Sequence, residues 1–279
     1  MLQFEKIHGL GNDFVIINAI DKEIKNYNQL AKKVCNRHFG VGADGMIVAE
    51  KSSLADIKML FFNANGTEAN MCGNGIRCFS KFAYDNKLVK EKKFVVETLA
   101  GIMKTRVLLN EKKVELVQVD MGKPNFSAKE IPVFTNDKSF ICKSVDIEGK
   151  EYTISALNIG SVNAIIYVDD IKKIDIEQEG KAIEKSYLFP EGINVNFVKK
   201  ISGREIELIT WERGVGKTLA CGTGAAAAVI IGRKYFNLNS KVNVNLEGGS
   251  IGIEEYDDGR IIMTGLATSV FKGEYYNYE

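Results

Sequence analysis

The chain of 279 residues carries 37 lysines and arginines against 36 aspartates and glutamates, which gives a formal net charge of +1. This balance provides no strong positive field, so it argues against nucleic acid and anionic membrane surfaces as partners. With 45% hydrophobic residues and no apolar run near the roughly 20 residues that span a bilayer, the composition predicts a soluble globular protein of the cytoplasm.

Strand and helix patterns follow one another from the start of the chain. Runs rich in Val, Ile and Phe predict strands at residues 15–18, 44–50, 56–63, 94–101, 104–109 and 113–120. Helical periodicity predicts four long helices, at residues 27–38, 75–89, 177–189 and 222–236. Residues 121–134 break the strand pattern and hold two of the three prolines, which predicts a domain boundary near residue 123.

The second half of the chain repeats short segments of the first half, in the same order and at a nearly constant offset of about 150 residues. The matched pairs are Asn12 with Asn163, Asp44 with Asn194, Gly66 with Gly214, and Cys72 with Cys221. The repeat predicts an α+β fold of two pseudo-symmetric domains that arose by duplication. The first domain comprises residues 1–123, joined by a C-terminal strand at 267–279, and the second comprises residues 124–266.

Two glycine-rich segments imitate nucleotide-binding motifs. GVGKT ends at Thr218, but a Walker A loop would need a glycine where Trp211 stands. GVGADG, which begins at Gly40, satisfies G-x-G-x-x-G but follows a helix-like segment and begins a strand-like one, the reverse of a dinucleotide fold. A nucleotide-binding protein therefore remains only as an alternative, testable by nucleotide protection against thermal unfolding.

The chain has five cysteines, an odd number that argues against a secreted disulfide framework. Cys72 and Cys221 each lie in C-G-x-G where a helical pattern begins, and a helix N-terminus favours a thiolate and leaves N–H groups for a carboxylate. The other three, Cys35, Cys78 and Cys142, are expected to be small buried apolar residues. Without C-x-x-C or a zinc-ligand spacing, neither a redox cycle nor a metal site is predicted.

Two equivalent thiols on opposite sides of one small cleft suit the inversion of a stereocentre beside a carboxylate. One thiolate removes the Cα hydrogen from one face, and the opposing thiol delivers a proton to the other face. This chemistry needs no separate cofactor when the cleft excludes water. The substrate class it implies is a small amino acid, and the sequence leaves open whether the chain forms a homodimer.

At these residues the sequence resembles the diaminopimelate epimerase family, whose members convert LL- to meso-diaminopimelate without a cofactor. The resembling segments are KIHGLGNDFVIIN, FGVGADG, FFNANGTEANMCGNGIRC, FPEGINVNF and WERGVGKTLACGTGAAAA, and they are specific when they occur together. The resemblance implies two curled, mostly antiparallel sheets, each around a central helix. It also implies a role in the synthesis of lysine and peptidoglycan precursors.

The resemblance assigns roles to individual residues of this chain. Cys72 and Cys221 would be the acid/base pair. The α-carboxylate of the reacting centre would be held by backbone groups of Gly73, Asn74, Gly222 and Thr223, with Asn12 on its amino group. The distal amino-acid end would be held by Asn63, Asn194 and Arg213, with Glu212 beside them.

The chain departs from the family pattern where relatives usually have G-N-P-H. Ser161 replaces an asparagine that contacts the distal end of the substrate, and Asn163 replaces a histidine close to the cysteines. Both are kept as substrate-binding candidates. The departures leave the two-thiol mechanism in place, and they leave a racemase of another amino acid, such as histidine, as the alternative.

Overall fold

The computed structural model describes residues 1–276, and the chain divides into two compact units. The first unit is Met1–Asp120 together with the segment that begins at Thr264, and the second is Met121–Met263. Of the predicted C-terminal strand, residues 277–279 lie outside the described residues. No helix among the described residues is long and apolar enough to cross a membrane.

Residues 1–276 form 18 strands and four α-helices. The strands are β1 Leu2–Gly9, β2 Asn12–Asn18, β3 Gly45–Glu50, β4 Ile57–Asn63, β5 Glu68–Ala69, β6 Lys93–Thr98, β7 Gly101–Asn110, β8 Lys113–Asp120, β9 Lys143–Ile147, β10 Lys150–Asn158, β11 Val162–Tyr167, β12 Asn194–Ser202, β13 Glu205–Glu212, β14 Gly216–Thr218, β15 Lys241–Leu246, β16 Gly249–Glu255, β17 Ile261–Leu266 and β18 Thr268–Tyr275. The helices are α1 Tyr27–Val34, α2 Gly73–Asp85, α3 Lys181–Glu184 and α4 Gly222–Tyr235.

The first unit is a curled sheet wrapped on one helix. Its strands pair in the order β18, β1, β2, β3, β4, β6, β7 and β8, with β5 beside the end of β4. All these pairs are antiparallel except β2 with β3 and β4 with β6. Helix α2 contacts strands from β1 through β8, so its N-terminus is held by the sheet.

The second unit repeats this topology. Its strands pair in the order β9, β10, β11, β12, β13, β15 and β16, with β14 beside the end of β13. The parallel pairs are again the equivalent ones, β11 with β12 and β13 with β15. Helix α4 contacts β10, β11, β12 and β16. The predicted α+β class, with a curled and mostly antiparallel sheet around a central helix in each unit, is confirmed.

The two central helices are buried for different reasons. In α4 the run from Ala225 to Ile231 is buried throughout, because alanines let the helix approach the sheet closely and the three apolar residues that follow fill the space beyond. Helix α2 is just as deeply placed, yet it buries the polar side chains of Arg77 and Ser80. A buried cation needs hydrogen-bond partners, and those partners lead to the site described below.

The predicted long helix at residues 177–189 is wrong. The chain forms a single π turn at Ile176–Gly180 and one α-helical turn, α3. Tertiary packing overrides the helical pattern, because a Cβ at Gly180 would lie only 2.6 Å from the Cβ of Trp211. Pro190 then disfavours a helical conformation at Phe189, whose ring is buried in the core of the unit.

Candidate active site

Each unit has a cysteine at the N-terminus of its central helix. Cys72 caps α2 and Cys221 caps α4, both with extended backbone. The sulfur of each accepts a hydrogen bond of 3.4 Å from the backbone N–H three residues later, at Gly75 and Gly224 respectively. The remaining N–H groups at each helix start form a site that favours negative charge.

In the first unit, Cys72 lies in a cluster of amides. The Oδ1 of Asn12 is 3.6 Å from the Cys72 sulfur and accepts a hydrogen bond of 3.3 Å from the Nδ2 of Asn74. The Nδ2 of Asn12 donates to the Oδ2 of Asp44 at 2.8 Å. Since a carboxylate only accepts, Asp44 fixes the Asn12 amide with its oxygen toward the sulfur.

Asp44 is itself held by a small network of charges. Arg37 donates to both Asp13 and Asp44, at 2.9 and 2.7 Å, and Lys6 forms an ion pair with Asp13 at 2.7 Å. Burial alone would raise the pKa of Asp13, but the hydrogen bonds from Arg37 and Lys6 outweigh it and hold the pKa at about 2. Asp13 therefore stays ionised near neutral pH and keeps Arg37 beside Asp44.

Arg77 positions the start of α2 and was missed by the sequence analysis. Its fully buried guanidinium donates to the carbonyl oxygen of Gly73 at 3.0 Å, to the Oδ1 of Asn74 at 2.9 Å and to the carbonyl oxygen of Leu266 at 3.3 Å. Burial lowers the pKa of Arg77. The available signal was an arginine within the apolar run of a helix, immediately after C-G-x-G.

In the second unit, hydroxyl groups surround Cys221. The Oγ1 of Thr223 is 3.4 Å from the Cys221 sulfur and 2.7 Å from the Oγ of Ser161. Ser161 accepts hydrogen bonds from the Nδ2 of Asn194 at 3.1 Å and from the Nδ2 of Asn163 at 3.3 Å. Four of the predicted binding residues therefore form one hydrogen-bonded chain that ends at the sulfur.

The interior of the second unit holds this chain in place through Asn196, which the sequence analysis did not single out. Asn196 is fully buried; it donates to the Oδ1 of Asn163 at 3.3 Å and accepts from Thr210 at 2.8 Å. Asn163 is fully buried as well, and its Nδ2 donates to the carbonyl oxygen of Ser161 at 2.8 Å. Two asparagines on adjacent strands are the pattern that could have indicated this network.

The residues assigned to the distal end of the substrate are held by separate contacts. The backbone N–H of Arg213 donates to the Oδ1 of Asn194 at 2.9 Å, and its exposed guanidinium donates to the carbonyl oxygen of Glu191 at 3.1 Å. Glu212 accepts from Thr218 at 2.7 Å, and burial raises the pKa of its carboxyl group. In the first unit, Asn63 ends β4 and donates to Thr67 at 3.0 Å.

The other three cysteines differ in burial. Cys35 and Cys78 are buried, and burial raises the pKa of each thiol to about 12. The expectation that Cys142 is buried is wrong: it lies exposed with a positive φ of 48°, in the turn before β9. Left-handed backbone at a turn places this side chain outside the core.

We expect iodoacetamide at mildly alkaline pH to label Cys142 quickly, and to label Cys35 and Cys78 only after unfolding. Burial and a raised thiol pKa both suppress the reactive thiolate of the latter two. Peptide mass spectrometry with and without denaturant measures the labelling. Equal labelling of Cys78 and Cys142 in the folded protein would contradict this assignment.

Comparisons with known proteins agree with the arrangement of these residues. The family model described as diaminopimelate epimerase matches residues 4–127 and 155–270. Proteins named diaminopimelate epimerase from Caldanaerobacter subterraneus subsp. tengcongensis and Alkaliphilus metalliredigens are 44% and 45% identical to this chain. The matches cover 98% of this chain and 99% of the first protein, and 99% of this chain and 98% of the second.

The fold also matches a solved structure of low sequence identity. A phenazine biosynthesis protein of the PhzF family from Bacillus anthracis superimposes with a TM-score of 0.70 at 17% identity, covering 99% of each chain. At that identity the likeness shows the fold alone.

Proposed function

Because the chain belongs to the diaminopimelate epimerase family, we propose that it converts LL-diaminopimelate to meso-diaminopimelate by inverting one Cα centre with Cys72 and Cys221. The observation that carries the proposal is the equivalent cysteine cap on the central helix of each unit. The reaction serves the synthesis of lysine and of peptidoglycan precursors.

The proposed reaction uses the two sulfurs in turn. The thiolate of one cysteine takes the Cα proton, and the electron pair left on Cα is shared with the adjacent carboxylate. The thiol of the other cysteine then gives its proton to the opposite face of Cα, which completes the inversion. Each turnover exchanges the protonation states of the two sulfurs, and no electrons are gained or lost.

The helix N-termini support this role through their free N–H groups. Backbone groups of Gly73 and Asn74 in one unit, and of Gly222 and Thr223 in the other, are proposed to hold the α-carboxylate. Negative charge that develops on this carboxylate as the proton leaves is stabilised by the same groups. Asn12 is proposed to accept from the α-ammonium group, since Asp44 holds its amide oxygen toward the sulfur.

Recognition of the distal amino-acid group is proposed for Asn63, Asn194, Glu212 and Arg213. Arg213 can bind a carboxylate through two parallel N–H bonds, and its guanidinium is exposed. Ser161 is proposed to face the same ligand. Asn163 is fully buried, so we propose that it acts on the substrate through Ser161.

We place the reaction in the cytoplasm. Two-thiol catalysis requires both cysteines to be reduced, and cytoplasmic thiol systems keep them so. A disulfide between Cys72 and Cys221 would inactivate the enzyme.

Proton NMR in D2O tests the proposed function directly. Purified reduced protein, without added pyridoxal phosphate, is expected to remove the Cα–H signal of LL-diaminopimelate while the meso isomer appears. The control tubes hold L-histidine and other L-amino acids, where no exchange is expected. Exchange in L-histidine and not in diaminopimelate would overturn the substrate, and no exchange in any tube would overturn the function.

A further inference from the structure

The hydrogen bonds around Cys221 have a defined direction. The Oδ1 of Asn194 accepts from the backbone N–H of Arg213, so its Nδ2 must be the group that faces Ser161. The Nδ2 of Asn163 is fixed in the same way, because it donates to the carbonyl oxygen of Ser161. Both amides therefore donate to the Ser161 oxygen.

The Ser161 hydroxyl passes this direction on to the sulfur. With its oxygen accepting from two amides, Ser161 has its proton left for the Oγ1 of Thr223, 2.7 Å away. Thr223 accepts there and directs its own proton to the Cys221 sulfur at 3.4 Å. The sulfur accepts a further hydrogen bond from the backbone N–H of Gly224. Two donors on one sulfur suit a thiolate.

The hydrogen bonds around Cys72 run the opposite way. Arg77 donates to the Oδ1 of Asn74, which turns the Nδ2 of Asn74 toward Asn12. Asn12 donates to Asp44, so its oxygen faces the Cys72 sulfur. An amide oxygen cannot donate, and the 3.6 Å contact is a hydrogen bond only when Cys72 carries its proton.

We propose that Ser161 and Thr223 are positioning residues that make Cys221 the base of the resting enzyme, while Asn12 keeps Cys72 protonated as the acid. The inference rests on the proposed epimerase function and assigns different roles to the two sulfurs. After a turnover Cys221 holds the substrate proton and Cys72 is the thiolate. Loss of that proton to solvent from Cys221, with uptake of one by Cys72, restores the resting state.

Residue-resolved alkylation without substrate tests the assignment. Iodoacetamide labelling of Cys72 and Cys221 is followed by peptide mass spectrometry across a pH series, and the midpoint of each rate profile is compared. Midpoints, unlike absolute rates, are insensitive to the greater burial of Cys221. The profile of Cys221 is expected to rise at lower pH than that of Cys72.

Thr223→Val keeps the shape of the side chain and removes the hydroxyl. It is expected to slow Cys221 alkylation at neutral pH about tenfold and to leave Cys72 unchanged, since one hydrogen bond to a charged group is lost. Thr223→Ser should restore the wild-type profile. Ser161→Ala provides a second variant and should move the Cys221 profile in the same direction.

The variants preserve every charge near the two groups. Arg37, Asp44 and Arg77 in the first unit, and Glu212 and Arg213 in the second, are untouched, so a moved midpoint reports the hydrogen bond. Thr105→Val is the matched control, because this buried hydroxyl bonds to the carbonyl oxygen of Phe94. A lower midpoint for Cys72, or an unmoved Cys221 midpoint in folded Thr223→Val, would overturn the proposal. Neither outcome requires substrate, so each is distinct from failure in the NMR experiment.

Discussion

Replacing either Cys72 or Cys221 by alanine is expected to lower the rate of LL- to meso-diaminopimelate conversion by a factor of about 10²–10⁴ or more. Each substitution removes one of the two groups that move the Cα proton, and the remaining sulfur cannot serve both faces. The measurement is the appearance of the meso isomer by NMR. The fold should persist, because each cysteine contributes only one capping hydrogen bond from its side chain to the helix start.

Cys142→Ala is the matched control for these two variants. Its side chain is exposed and contacts only Ser155 among the printed hydrogen-bond partners of the described residues, so turnover should match the wild type. Near wild-type epimerisation by Cys221→Ala would refute the two-base mechanism. Loss of turnover in folded Cys142→Ala would show that this thiol has a role that the structure does not assign to it.

Gly224→Ala is expected to lower the free energy of unfolding by about 3 kcal/mol and to disturb the Cys221 cap. A Cβ at Gly224 would fall well inside van der Waals contact with the Oδ1 of Asn196 and 2.9 Å from its Cγ. Asn196 is fully buried and hydrogen-bonded, so it cannot retreat. Overpacking and broken hydrogen bonds, each worth about 1–3 kcal/mol, exceed the gain of about 1 kcal/mol from alanine in a helix.

The equivalent glycine of the first unit supplies the comparison. A Cβ at Gly75 would meet the Cβ of Cys72 at 3.2 Å and the Cδ1 of Ile47 at 3.3 Å, contacts that small shifts relieve. Gly75→Ala should therefore change the free energy of unfolding by less than about 1 kcal/mol. Urea unfolding of both variants tests the difference, and equal destabilisation would show that Asn196 does not hold α4 rigidly.

The parts of the fold that depend on local pattern could be predicted from the sequence. The two helices after C-G-x-G were predicted because glycines at a helix start are followed by an apolar run in both halves. The segment at 177–189 has an equally helical pattern, but its outcome depends on how closely Gly180 approaches Trp211. These residues lie 31 positions apart in the chain, and periodicity carries no information about such a contact.

The site shows the same division between local and distant information. The cysteines and glycines carry their own signal, whereas Arg77 and Asn196 matter through the partners that folding brings to them. The Leu266 carbonyl oxygen that accepts from Arg77 is 189 residues away in the chain. Asn163, expected at the substrate, is a buried amide beneath Ser161, because the strand pairing of β11 with β12 sets it opposite Asn194.

The pairing of β1 with β18 has a consequence for how the protein is made. Leu2 pairs with Tyr275 and His8 with Thr268, so one of the first strands to leave the ribosome finds its partner among the last. The second unit is continuous in sequence and is complete once Met263 has emerged. A nascent chain therefore carries β1 as an open sheet edge through nearly all of its synthesis. Synthesis and completion run in opposite orders, and the N-terminal unit is finished last.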